Sequence, residues 1–80
     1  MNVTVLLFAS YADALGNDEL DLTLPAGATV QDALRQVSRL PGAERVPPSP
    51  LVAVNERYAA LDQRLSAGDE LALIPPVAGG

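Results

Sequence analysis

Asp69-Glu70-Leu71-Ala72-Leu73-Ile74-Pro75-Pro76-Val77-Ala78-Gly79-Gly80 is a hydrophobic strand that runs into two prolines and then two glycines. Leu71, Leu73 and Ile74 read as buried strand. Pro75 and Pro76 have no N–H to give a sheet ladder, so the sheet is expected to end there. Pro-Pro favours a stiff polyproline-II path. Gly79 and Gly80 carry no side chain, so their backbone can be approached from any side. A tail of this kind suits threading of a terminal carboxylate into a narrow site on another protein. A glycine pair alone would not say so: roughly one chain in 200 ends that way by chance, and frayed ends and cloning scars are common. The weight lies in the pair following a core strand and Pro-Pro-Val directly.

Working outward, Ser66-Ala67-Gly68-Asp69 is a turn into this last strand. At the other end of the chain, Val3-Thr4-Val5-Leu6-Leu7-Phe8-Ala9 is almost continuously apolar and reads as a central strand. Ser10 is the expected cap of a helical turn, Tyr11 to Leu15, with Gly16 as its stop. Glu19-Leu20-Asp21-Leu22-Thr23-Leu24 alternates strictly, which predicts a half-buried strand with its leucines inward. It should pair with the first strand as an antiparallel hairpin across Gly16-Asn17-Asp18. After a turn at Pro25 to Ala28, Thr29 is the expected N-cap of the one long helix, with Asp32 in the capping-box position. Val30, Ala33, Leu34, Val37 and Leu40 form its apolar stripe, and Pro41-Gly42 should end it. Residues 43–50, with Pro47, Pro48 and Pro50, read as a surface connection. Leu51 to Val54 is a short strand, Asn55-Glu56-Arg57 a turn, and Tyr58 to Leu61 a short edge strand.

This order predicts a single domain over residues 1–80. It is α+β, with a mixed sheet of four to five strands and one main helix on one face. The first and last strands are the most apolar and are expected side by side at the centre. That is the β-grasp, or ubiquitin-like, arrangement. One helix covers one face, and side chains alternate along each strand. Val3, Val5 and Leu7, with Leu71 and Leu73, form one set. Thr4, Leu6 and Phe8, with Glu70, Ala72 and Ile74, form the other. Glu70 and Thr4 mark the second set as solvent-facing. Leu6, Phe8, Ala72 and Ile74 would then make an apolar patch beside the departing tail, which points to a protein partner. Two other arrangements stay open: residues 43–50 could fold over the patch, or both sets could pack inside.

Composition removes most free-standing chemistry. The chain has 80 residues, 49% of them hydrophobic, enough for one core with a thin stability margin. It has no cysteine, histidine or lysine. Thiolate nucleophiles, disulfides, cysteine-ligated zinc, Ser-His-Asp arrangements, Schiff bases and the P-loop lysine are excluded with them. The acids at Asp18-Glu19-Asp21 and Asp69-Glu70 fall in turns and on an alternating strand. A glycosidase pair would face across a cleft of about 5–10 Å. A net charge of −5 offers no basic face for nucleic acid and is repelled by an anionic membrane. It fits solubility, or a basic protein partner. No membrane span and no signal peptide is legible, which makes the cytoplasm the expected compartment.

The string from Gly68 to Gly80 resembles the signature of the MoaD/ThiS sulfur-carrier family. Within it, the string is most similar to the small subunits of molybdopterin synthase, which end in Pro-Pro-Val-small-Gly-Gly. Leu6-Leu7-Phe8-Ala9, Thr29-Val30 with Leu34-Arg35, and Val54-Asn55 extend the resemblance over the full length. Ala12-Asp13 stands where the family often has Arg-Glu. The resemblance implies a chain that is not catalytic alone and binds no cofactor or metal. An adenylyltransferase similar to ubiquitin-activating enzymes would use ATP to adenylate Gly80, and a sulfur donor protein would supply the sulfur of a thiocarboxylate. The tail would then enter the molybdopterin synthase large subunit, in a two-plus-two assembly that holds the catalytic side chains. There it would give its sulfur to a pyranopterin precursor of the molybdenum cofactor. Gly80 would be the reacting residue; Gly79, Ala78, Val77, Pro76, Pro75, Ile74, Phe8 and Leu6 would meet the partner. A carrier for thiamine or cysteine synthesis, a ubiquitin-like protein modifier and a plain β-grasp binding module remain as other readings.

Overall fold

Alternation of buried and open positions in the chain's first seven residues sets the architecture. Val3, Val5 and Leu7 are buried, while Thr4 and Leu6 are half-buried. A computed structural model describes residues 1–47 and 50–76. Strand β1 (Asn2–Leu7) is followed by helix α1 (Ala9–Leu15), strand β2 (Glu19–Thr23), helix α2 (Val30–Val37) and a short 3-10 turn at Ala43–Arg45. Strands β3 (Leu51–Val54), β4 (Arg57–Tyr58) and β5 (Glu70–Ile74) complete it. The sheet order is β2-β1-β5-β3-β4. The first and last strands are neighbours and run parallel, from Thr4 opposite Glu70 to Leu7 opposite Leu73. The β1–β2 and β3–β5 pairs are antiparallel. This is the expected β-grasp sheet with the main helix on one face.

The core lies between that face and α2. Val3, Val5, Leu7, Leu71, Leu73, Val52 and Val54 meet Val30, Ala33, Leu34 and Val37 in one cluster. Both first and last strands thus give their odd-numbered residues to the core, as their alternation predicts. Leu22 and Leu24 are buried and Leu20 is half-buried beside them.

The start of α2 shows why the chain turns helical there. The Thr29 hydroxyl accepts from the Asp32 N–H at 3.4 Å, and an Asp32 carboxylate oxygen accepts from the Thr29 N–H at 2.9 Å. The capping box is therefore complete. The next free donors of the first turn go to the irregular segment after β4: Val30 N–H to the Gln63 carbonyl and Gln31 N–H to the Leu61 carbonyl, both at 2.9 Å. The Thr29 backbone bond, then its hydroxyl, hold the Asp32 carboxyl below its usual 3.8, and Arg35 adds a smaller pull. A depressed folded value means that Asp32 supports the fold above the ordinary carboxylate range. That support is lost as pH falls through the lower folded value. The melting-temperature gap between the native chain and Asp32→Ala is therefore expected to be largest at neutral pH and to close in strong acid. A gap that stays constant across the titration would show that the carboxylate's charge contributes nothing.

Three local expectations change. Helix α1 begins at Ala9, with Phe8 as N-cap and no side-chain cap, so Ser10 lies inside the helix instead of capping it. The backbone supplies what Ser10 does not: Ala9 sits at φ 47°, turning the chain out of β1 at once, and the Phe8 carbonyl accepts from Tyr11 at 3.0 Å. The edge strand is Arg57–Tyr58 and does not reach Leu61. Asn55 and Glu56 both have positive φ (49° and 71°), which closes a tight hairpin and starts β4 one residue early. Leu61 and Gln63 are then drawn off to cap α2. The main helix ends at Val37, before Pro41-Gly42, where bonds from Arg39 to Gln36 and from Leu40 to Val37 tighten the chain into single turns. Gly16 stops α1 as expected, at φ 71°.

Candidate functional site

The face of the sheet turned away from α2 divides into two halves. Towards the N-terminal end of β5 it is polar. Thr23 donates to Asn2 at 3.0 Å, Thr4 points to Asp21 at 3.5 Å, and Glu70 stands beside Thr4. Towards the C-terminal end of β5 it is apolar. Leu6 lies opposite Ala72, Ala72 opposite Ala53, and Ala53 opposite Tyr58, forming one row across four strands. The next row sets Leu51 opposite Ile74. Among the described residues, Phe8, Leu51 and Tyr58 are the large apolar side chains left open to solvent, at 47%, 51% and 74% exposure. Leu6, Ala72 and Ile74 are half-buried.

The four patch residues expected from the sequence are thus on the face turned away from α2, and Pro47 and Pro50 border its Leu51–Ile74 end, lining a cavity with those two residues. The 3-10 turn at Ala43–Arg45 packs against α1. Leu51, Ala53 and Tyr58 belong to the patch as well and were not expected in it. Their alternation was visible, but which side of β3 faces out depends on its register with β5.

The rungs end where the prolines begin. Pairing of β5 with β1 stops at Leu73, and with β3 at Ile74. Pro75 is half-buried and Pro76 exposed. The tail therefore leaves the sheet from the apolar half of its open face. Val77, Ala78, Gly79 and Gly80, and the expected polyproline path, lie outside the described residues.

The opposite end of β5 is clamped by side chains. Asn55 donates to an Asp69 carboxylate oxygen at 2.9 Å and accepts from the Glu70 N–H at 3.0 Å. The other Asp69 oxygen accepts from the Ser66 N–H at 2.7 Å. The Asn55 N–H reaches the Glu70 carbonyl at 2.8 Å. Asn55 reads in the sequence only as a turn residue. Its second role is to fix where β5 starts, and so where the tail leaves. Among the described residues no group of three or more acids could hold a metal ion. No helix there is long and apolar enough to cross a membrane.

This arrangement matches known proteins over its whole length. Residues 5–80 match the model of the ThiS family. The molybdopterin synthase sulfur carrier subunit of Arabidopsis thaliana is 37% identical over 81 residues, covering all of this chain and 84% of that protein. The crystal structure of SAMP1 from Haloferax volcanii superposes with a TM-score of 0.89 at 37% identity, covering all of both chains. A chain in the complex of subunits 1 and 2 of molybdopterin-converting factor from Helicobacter pylori has the same fold, with a TM-score of 0.76 at 21% identity over all of both chains. On sequence, sheet topology and full-length coverage together, the chain belongs to the ThiS family, with the ubiquitin-like β-grasp fold of its sulfur carriers.

Proposed function

We propose that this chain is the sulfur carrier subunit of a molybdopterin synthase and acts in the cytoplasm. A carboxylate is a poor electrophile. An activating partner related to ubiquitin-activating enzymes converts the Gly80 carboxylate to an acyl-adenylate with ATP, releasing pyrophosphate, and sulfide-level sulfur from a donor protein then displaces AMP to leave a thiocarboxylate. The large subunit receives the tail and directs the sulfur to a pyranopterin precursor, in a two-plus-two assembly. The observation that carries this reading is the continuity of the apolar half-face with the root of the tail. A protein seated on Leu6, Phe8, Leu51 and Ile74 is positioned to take the tail as it leaves the sheet. The sulfur-carrier name of the Arabidopsis relative, and the two-subunit complex that contains the Helicobacter protein, support the same partner.

The test is alkylation of the protein after incubation with the activating enzyme, ATP and a sulfur donor, read by intact mass. The chain has no cysteine, so a thiol-selective reagent has the thiocarboxylate as its target. A label at Gly80 is expected. No label with an active cognate enzyme would overturn the reading. Protein modification is the second reading, favoured by the likeness to SAMP1. Isopeptide-linked conjugates in cells would decide for it.

The patch makes its own prediction. Leu51 is half exposed, so Leu51→Asp should leave the fold intact. Placing an unpaired charge at the centre of the interface should weaken binding to the large subunit on the order of 30-fold, as loss of a hot spot does. Calorimetric titration with the large subunit reads this directly. An unchanged affinity would place the interface elsewhere.

A further inference from the structure

Charge is segregated between the two faces of the sheet. Glu19 lies opposite Leu6, and Asp21 and Glu70 lie on either side of Thr4. Residues directly opposite each other in a sheet share a face. Leu6 and Thr4 stand on the face turned away from α2, so Glu19, Asp21 and Glu70 stand there too, all exposed. Among the described residues the one side-chain bond to these carboxylates comes from the Thr4 hydroxyl, 3.5 Å from Asp21, and none of them is in an ion pair. The arginines lie elsewhere. Arg35 is in α2, where it pairs with Asp32 at 3.8 Å, and Arg39 follows that helix. Arg45 is in the 3-10 turn packed against α1, and Arg64 is bridged to Thr29 at the head of α2. Arg57 is opposite Val54, a core residue, and so stands on the α2 side of β4. The open face therefore sets acids, with no cation among its strand residues, beside the apolar half from which the tail leaves.

We propose that the protein that takes the tail sets lysine or arginine side chains over Glu19 and Asp21 while its apolar side chains cover Leu6, Leu51 and Ile74. This rests on the carrier reading and adds to it the partner's chemistry and its orientation. A partner surface that was apolar throughout would strip water from these carboxylates and return no bond, which is costly. Cations placed there meet acids that nothing in the chain already neutralises. A second copy of this chain is a poor occupant, since it brings its own net charge of −5 to the contact. The geometry also fixes the direction of docking. Strand β2 is two places from β5 in the sheet, which at about 4.8 Å per strand sets the charged contact about 10 Å from the strand that carries the tail. A partner turned half a turn on this face would lay apolar groups on the acids and cations on Tyr58, and would miss the tail. Glu19 and Asp21 are thus positioning residues that steer and orient the encounter, and they take no part in the chemistry.

The test compares two double variants that change the net charge equally. Glu19→Gln with Asp21→Asn neutralises the open-face acids of β2. Glu44→Gln with Asp62→Asn neutralises acids on the other side: Glu44 borders Leu34 and Val37 of α2, and Asp62 lies between the residues whose carbonyls cap that helix. All four positions are exposed, so both variants should melt as the native chain does. Association with the purified molybdopterin synthase large subunit is followed by stopped flow at low and high salt. At low salt the β2 variant is expected to associate on the order of 10-fold more slowly than the native chain, and the control less than about 2-fold more slowly. A second measurement needs no variant. Association of the native chain should slow as salt is raised, because charges more than about 10 Å apart are screened at 0.1 M, and the β2 variant should lose most of that dependence. Equal slowing in both variants would overturn the proposal, by showing that net charge and not its placement attracts the partner. Tight native binding that is indifferent to salt and to Glu19 and Asp21 would overturn it while leaving the carrier reading standing. Failure of the native chain to bind the large subunit at any salt would overturn both together.

Discussion

Deleting Gly80, or replacing it by alanine, is expected to abolish sulfur transfer while the domain melts as before. The second half of this expectation follows from the fold. The core cluster has no member among the described residues beyond Leu73, and the last rung of the sheet is Leu51 opposite Ile74. Changes at Gly80 should therefore move stability by no more than about 0.5 kcal/mol. The first half follows from reach. On the carrier reading, the reacting carbonyl is at the end of a tail that starts at a fixed point, Pro75, and must arrive in two different partner sites in turn. Deletion leaves a glycine at the end but sets its carbonyl about 3.5 Å short. Alanine keeps the reach and adds a Cβ where the carrier reading needs a narrow passage. Misplacement of a reacting group by about 1 Å can cost on the order of 100-fold in rate, so both changes should lower transfer by at least about that factor. Thiocarboxylate formation, followed by alkylation and intact mass, measures the first transfer, and product formation with the large subunit measures the second. A deletion chain that loses both steps beside an alanine chain that loses only one would tell reach from width. Native rates in both variants would refute a reacting role for Gly80.

The part of this site that was legible in the sequence is the part written locally. Alternation in Val3 to Phe8 and in Glu70 to Ile74 separated the core set from the outer set, and Pro75-Pro76 marked the end of the ladder. Thr29 and Asp32, three residues apart, marked the start of α2 for the same reason: both partners of the capping box lie within one turn. What was not legible depends on pairs distant in sequence. Leu51, Ala53 and Tyr58 join the patch only because Leu51 lies opposite Ile74 and Ala53 opposite Ala72; a shift of one residue would have turned Leu51 and Ala53 inward. Asn55 clamps Asp69 and Glu70, fourteen and fifteen residues on, and nothing in a turn sequence announces that. Ser10 was a reasonable cap by type, but the chain's exit from β1 at Ala9 left it inside the helix.

Gly42 is the clearest case of a residue whose constraint the local reading missed, and its substitution should be the most damaging to the fold. Pro41-Gly42 reads as a helix stop, and a glycine at φ 89° is what a left-handed turn favours. The structure adds a second demand. A Cβ built at Gly42 would run into the carbonyl oxygen of Ala14 in α1 and lie 2.9 Å from its carbonyl carbon. Both are backbone atoms at the end of a helix, so neither can swing aside. Gly42→Ala is expected to cost about 2–4 kcal/mol, as the sum of left-handed strain and overpacking. At roughly 4–8 °C per kcal/mol for a domain of this size, the melting temperature should fall by about 8–32 °C. Gly16→Ala is the control, since Gly16 has φ 71° with nothing within 4 Å of a built Cβ, and it should lose only the strain part. Equal losses in the two variants would mean that the close approach of Gly42 to α1 contributes nothing. A larger loss at Gly42 also bears on the site. That contact holds the 3-10 turn and the chain leading to Pro47 against α1, the helix that carries Tyr11. Pro47 and Tyr11 are walls of the cavity at the foot of the tail. The glycine that starts the 3-10 turn thereby sets the spacing of the cavity walls, and a Gly42→Ala chain kept below its melting temperature should bind the large subunit less tightly than a Gly16→Ala chain does.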